Sequence, residues 1–168
     1  MSESDRRRIF QGWIDQHRGL IFKIVRAYAD TAMDREDLFQ EVAVQLWRSV
    51  SSFKGESRET TWIYRVALNT AIRWLHVEKR RDRIDIQDAQ SVLRESESPV
   101  DEQLAWLYAE IARLDDVDRS IALMMLDDLS YKEMSTVLGI TESNVGVRIH
   151  RIKKQLIAKS KKAEGYGI

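Results

Sequence analysis

The chain has 168 residues, 43% of them apolar and 32% charged, which suits a globular protein with one sizeable core or two small ones and excludes a disordered chain. It holds no cysteine and three scattered histidines, His17, His76 and His150, so disulfides and thiolate metal sites are excluded and no zinc site or other cofactor is expected. The N-terminus MSESDRRRIF lacks the apolar core of a signal peptide and no run of 18 apolar residues occurs, so a cytoplasmic protein with no membrane insertion is expected.

Net charge is zero but unevenly distributed. Residues 1–83 carry 16 basic and 12 acidic side chains (net +4), and residues 129–168 carry eight and three (net +5). Between them, residues 84–100 have a net charge of −3 and residues 101–128 one of −6. Two basic blocks around an acidic middle suggest two surfaces for a polyanion, with nucleic acid the natural candidate.

In chain order, residues 6–29 place Ile9, Phe10, Trp13, Ile14, Leu20, Ile21, Ile24, Val25 and Tyr28 at helical spacing, which predicts one or two amphipathic helices weakened at Gly12 and Gly19. Asp34 then opens a helix through Trp47, as its N-cap. Leu38, Val42, Leu46 and Ser49 share its inner face, while Asp37, Gln40, Glu41, Val44 and Arg48 cluster outside. An acidic outer face usually serves solvation, and Val44 among the charges is a slight indication of a docking surface. No paired histidine or lysine suggests acid–base catalysis, and no catalytic residue is assigned.

Phe53 to Arg58 is a polar loop containing Gly55, and Thr60 or Thr61 starts a helix reaching about Arg81. Ile63, Ala67, Thr70, Ala71 and Trp74 face inward. Trp62, Arg65, Asn69, Arg73 and His76 gather on the opposite side, ahead of the basic cluster Lys79, Arg80, Arg81 and Arg83. An indole among cations offers unstacked bases a stacking surface and their backbone a charged track; equally, Trp62 can be a rim residue of the core.

Residues 82–103, with seven acids against two arginines and little periodicity, form a linker. It ends in a capping pattern at Ser98-Pro99. Leu104, Leu107, Ile111 and Leu114 then mark one helix. Asp118 caps the next, which holds Ile121, Met124, Met125 and Leu126, the methionines as core filler.

The stretch SYKEMSTVLGITESNVGVRIHRIKKQL carries the clearest pattern. Ser130 and Glu133 form a capping box, and Met134, Val137 and Leu138 form an apolar stripe. Gly139 supplies the positive φ that ends the helix, Ile140 plugs the corner and Thr141 caps the next helix. Val145, Ile149, Ile152 and Leu156 form a buried seam, leaving Ser143, Asn144, Val147, Arg148, Arg151 and Lys154 outside. This is a helix-turn-helix pattern, whose second helix can enter a major groove; an ordinary helical hairpin with a solvated basic face shows the same spacing.

The order DREDLFQEV, aromatic loop, TTWIYRVALNTAIRW with a basic cluster, acidic linker and terminal helix-turn-helix resembles bacterial sigma-70-type initiation factors, and more narrowly their small extracytoplasmic-function group, over about residues 10–160. The resemblance implies an all-α protein of two helical domains: 1–82 for polymerase docking and −10 melting, a linker 83–100, 101–162 for the −35 element, and a tail 163–168. It implies docking on the β′ subunit of RNA polymerase core through Asp37, Gln40 and Glu41, with Val44 and Arg48 on the same face. It implies opening of the −10 element by Phe53, Lys54, Ser57, Arg58, Thr61, Trp62, Arg65, Asn69, Arg73, His76, Lys79 and Arg80. It further implies −35 recognition by Thr141, Ser143, Asn144, Val147, Arg148, Arg151 and Lys154. The implied partners are polymerase core (β′ and β), promoter DNA and an anti-sigma factor, with no small-molecule substrate and no enzymatic activity.

One departure is Gly146, inside the recognition helix, where many relatives carry lysine or a small residue other than Gly; it costs roughly 1 kcal/mol of helix propensity relative to Ala. The lack of a large N-terminal extension or third domain implies a class other than the housekeeping one. Two rival readings remain at this point. A conventional helix-turn-helix repressor or activator would bind duplex operators alone. A single-strand-processing enzyme would need a carboxylate cluster for metal ions, of which the sequence gives no sign.

Overall fold

A computed structural model describes residues 1–85 and 102–165, with side chains as far as Glu78 in the first stretch. The expected linker 83–100 and its Ser98-Pro99 cap therefore lie almost wholly outside the described residues, as do the side chains of Lys79, Arg80, Arg81 and Arg83. Among the described residues the chain is all-α: α1 (Glu3–Tyr28), α2 (Ala32–Ser49), a 3-10 turn (Val50–Ser52), α3 (Glu59–Asp85), α4 (Glu102–Ala112), α5 (Asp116–Leu126), α6 (Tyr131–Leu138) and α7 (Glu142–Gly165). The backbone divides into two compact units, Met1–Ala105 and Trp106–Ile168.

In the first unit α1, α2 and α3 pack pairwise. The 26-residue α1 starts with a capping box between Ser2 and Asp5 and runs unbroken except for a kink at His17 (φ −115°, ψ 17°). The kink falls at neither of the glycines expected to weaken the helix. Trp13, Ile21 and Ile24 from α1, Leu38, Val42 and Leu46 from α2, and Ile63, Tyr64, Leu68 and Ala71 from α3 are all fully buried. The α1 and α2 residues match the stripes read from the sequence, because burial of one face is what holds short helices in water; on α3 the buried face is wider than expected, taking in Tyr64 and Leu68 while Trp74 is only half-buried.

Two expected caps are corrected. Thr31, not Asp34, caps α2: its hydroxyl accepts from the Asp34 amide at 3.0 Å. Likewise Asp115, not Asp118, caps α5 and accepts from the Asp118 amide at 2.9 Å.

The second unit holds α5, α6 and α7 around Ile121, Leu123, Met124, Met134, Val145, Ile149 and Ile152. Ser130 and Glu133 form the expected capping box, and Gly139 ends α6 in the left-handed region at φ +68°. The Ser135 hydroxyl donates to the Ile140 carbonyl, closing the corner. Arg119 is buried and donates to the carbonyls of Ala112 and Leu114, tying the end of α4 to α5. Glu110, also buried, binds Lys159 Nζ at 2.6 Å and so anchors the far part of α7 to α4. That anchor accompanies a helix continuing to Gly165, past the 162 where a tail was expected.

Candidate docking and nucleic-acid surfaces

Burial of Leu38, Val42 and Leu46 at i, i+4 and i+8 turns the opposite side of α2 outward. Asp37, Gln40, Glu41, Val44 and Arg48 are accordingly all exposed and share one face. The helix beneath is held firmly. Arg6 donates to the Trp47 carbonyl through Nε (3.2 Å) and Nη2 (2.9 Å), and its guanidinium lies 4.4 Å from the Trp47 ring centroid. Phe10 adds an edge-to-face contact with the same indole at 5.5 Å. The result is a rigid ridge with one valine among charged and amide groups.

Beyond α2, the chain turns at Val50–Ser52 and inserts Phe53 between two indoles, with ring centroids 5.5 Å from both Trp13 and Trp62. Gly55 reverses the loop at φ +73°. Trp62 Nε1 donates to Ser49 Oγ at 3.1 Å, joining the start of α3 to the end of α2. Phe53 and Trp62 are therefore half-buried partners of each other, which puts the Trp62 indole at the rim of the core while leaving part of it exposed. Thr61 is corrected: it is 5% exposed, because it shares the inward stripe of Tyr64 and Leu68.

Lys54 and Arg58 are exposed on the loop, and Ser57 is half-buried. Along α3, Arg65, Asn69, Arg73 and His76 are exposed at i, i+4, i+8 and i+11, so the amide and the cations form one continuous line starting beside the aromatic cluster. Trp13 and Ser49 belong to this surface's support, and both escaped the sequence reading as functional positions. A half-buried indole needs an acceptor for its N–H, and that requirement is the only sequence-level signal for Ser49.

In the second unit the Thr141 hydroxyl accepts from the Asn144 backbone N–H at 3.1 Å. Val145, Ile149 and Ile152 are buried, which leaves Ser143, Asn144, Lys154 and Val147 outward, the last 65% exposed. Arg148 and Arg151 behave differently from the free cations expected. Arg148 Nη1 donates to Asp118 Oδ1 at 2.8 Å, and Arg151 Nη2 donates to Asp118 Oδ2 at 2.6 Å. Arg148 Nε also donates to Asn144 Oδ1 at 2.9 Å. The Asp118 side chain is only 6% exposed, so one inward carboxylate holds two arginines of the second helix.

Among the described residues no group of three or more His, Asp or Glu side chains converges as metal ligands, and no helix is long and apolar enough to cross a membrane.

Two family models match this chain: Sigma-70 region 2 over residues 13–81 and Sigma-70, region 4 over residues 104–156. The ECF RNA polymerase sigma-E factor of Haemophilus influenzae is 31% identical over 140 residues, covering 73% of this chain and 72% of that protein. The ECF RNA polymerase sigma-E factor of Escherichia coli K12 is 30% identical over 155 residues, covering 84% and 80% respectively. In fold, the chain is similar to the sigma factor RpoE of Bartonella quintana, solved in complex with the anti-sigma factor NepR, with a TM-score of 0.72 at 16% identity over 92% of this chain and 98% of that one. The chain belongs to the extracytoplasmic-function group of sigma-70 factors and is an alternative sigma factor for transcription initiation.

Proposed function

We propose a division of labour among three surfaces. The outer face of α2, Asp37, Gln40, Glu41, Val44 and Arg48, docks on the β′ subunit of RNA polymerase core. The loop from Phe53 to Arg58 and the α3 line of Arg65, Asn69, Arg73 and His76 hold the unstacked strand of the −10 element. Trp62 closes the upstream end of this line. The first half of α7 together with its capping Thr141, as far as Lys154, lies in the major groove of the −35 element. Domains 1–82 and 101–162 thus act as separate grips, with 83–100 as the linker between them.

The observation that carries this reading is the continuous exposed line of Asn69 and its flanking cations beginning at an aromatic cluster. Unstacking bases costs a few kcal/mol per step, and that cost is offset only where the extruded bases find protein to rest on. An amide and guanidinium groups beside half-buried rings supply such contacts. No nucleophile or base is assigned, and the protein acts as a non-enzymatic factor in the cytoplasm alongside the polymerase. An anti-sigma factor is a further partner in this reading, and a sigma factor of similar fold is solved in complex with one.

Run-off transcription with purified core polymerase across a genomic promoter pool tests the reading. Transcripts that require this protein are the expected result. Specific duplex binding without core, and no core-dependent transcripts, would instead favour a conventional repressor or activator.

A further inference from the structure

The two arginines on α7 that look most suited to reading bases are both held by Asp118, and one of them also occupies the side chain of Asn144. We propose that Asp118 is a specificity-determining positioning residue: through Arg148 it fixes the Asn144 amide as a hydrogen-bond donor, so that Asn144 reads an acceptor edge, guanine above all, and Arg148 reads no base. This rests on the reading that α7 lies in the −35 major groove.

The chain of contacts is explicit. Asp118 Oδ1 takes Arg148 Nη1 at 2.8 Å, while Arg148 Nε points back one turn to Asn144 Oδ1 at 2.9 Å. Two of the five guanidinium donors of Arg148 are thereby engaged on separate edges of its fork. A bidentate contact with guanine needs the fork turned outward, whereas here both its Nε and Nη1 sides are anchored, Asp115 Oδ1 lies 4.0 Å from Nη1, and the side chain is only 26% exposed. Arg148 is therefore badly placed for that role.

Asn144 is exposed at the start of the helix, where recognition helices meet base edges. Bidentate reading of adenine requires an asparagine to accept from N6–H and donate to N7 together. With one lone pair of Oδ1 taken by Arg148 Nε, the oxygen is held along the helix and away from the paired geometry that adenine needs, so the Nδ2 donors are left to meet an acceptor. Guanine presents two acceptors, N7 and O6, in the major groove, and thymine one. The carboxylate of Asp118 keeps this arrangement in place because the second oxygen binds Arg151 at 2.6 Å, which prevents the group from rotating away.

The test is selection from a promoter library with a randomised −35 element, using holoenzyme assembled from the full chain. For the wild type, one position should prefer guanine, and Asn144→Ala should abolish that preference. Arg148→Met, which keeps helix propensity and length but frees Oδ1, should shift the same position toward adenine by roughly tenfold. Asp118→Asn should broaden the same position and strengthen non-specific duplex binding, since two arginines lose their shared anion. Asp118→Glu should recover part of the selectivity.

A merely structural Asp118 would lower the melting temperature and weaken all sites alike, leaving the base preference unmoved; that result overturns the proposal. So does an adenine preference at the Asn144-dependent position in the wild type, or loss of preference at a different position on replacing Arg148. If Ser143→Ala, Asn144→Ala and Arg151→Ala all leave −35 selection unchanged, α7 does not face the promoter. The underlying reading then fails, and this proposal fails with it.

Discussion

At the scale of single residues, Gly146 and Trp62 show how the surroundings decide what a side chain can do. A Cβ on Gly146 would meet the Tyr131 ring at 3.4 Å, ordinary contact with a ring that is itself nearly half exposed. Gly146→Ala should therefore raise stability by about 1 kcal/mol through helix propensity, seen as a higher urea midpoint; a lower one would mean the ring cannot yield. For Trp62, replacement by Phe removes the donor to Ser49 while keeping the ring contact with Phe53, and should cost about 1 kcal/mol. Trp62→Ala should in addition impair open-complex formation, followed by permanganate reactivity of the melted strand, with core affinity retained. Equal loss of both would assign the indole to structure alone. The two misplaced caps share one cause. Thr31 and Asp34, like Asp115 and Asp118, are pairs of capping-type residues three apart, and either member satisfies the local pattern. Sequence alone does not say which of the two has the extended backbone.

Helices were legible as elements because their stripes are periodic. Leu38, Val42 and Leu46 follow the helical repeat, and so do Val145, Ile149 and Ile152; each set is buried. The complementary faces follow from the same arithmetic, which is why the outward set on α2 is legible in the sequence. What lay beyond the sequence were pairings between elements: Asp118 with Arg148 and Arg151, 30 and 33 residues away, Arg6 with Trp47, and Phe53 between Trp13 and Trp62. No repeat announces a contact of that range. On α2 the two faces make opposite predictions for neighbouring positions. Asp37→Ala should change stability by under about 0.5 kcal/mol, yet weaken association with polymerase core in a fluorescence-anisotropy titration. Leu38→Ala, at a fully buried site, should cost about 2–5 kcal/mol in a denaturant melt, as is usual for such truncations. An unchanged core affinity for Asp37→Ala would remove α2 from the docking surface.

For the molecule as a whole, the distribution of charge matters more than its zero sum. Basic residues in 1–83 and 129–168 alternate with acidic ones between them, so the free chain presents polyanions with attraction and repulsion together. Mobility shifts with promoter duplex should therefore show little specific binding by the chain alone and strong binding once core is added. In the holoenzyme, replacing an α7 lysine such as Lys154 should weaken binding evenly across sequences and make the salt dependence shallower by about one unit of slope if it meets a phosphate. The aromatic wedge at the end of α2 also bears on the energetics of the whole assembly. Because Phe53 is already seated between two indoles, the rotamer and backbone freedom of that segment is lost when the protein folds and not when it meets the promoter. Strand capture should then carry only a small heat-capacity change beyond that of duplex melting itself, the calorimetric mark of a receptor built in advance of its ligand.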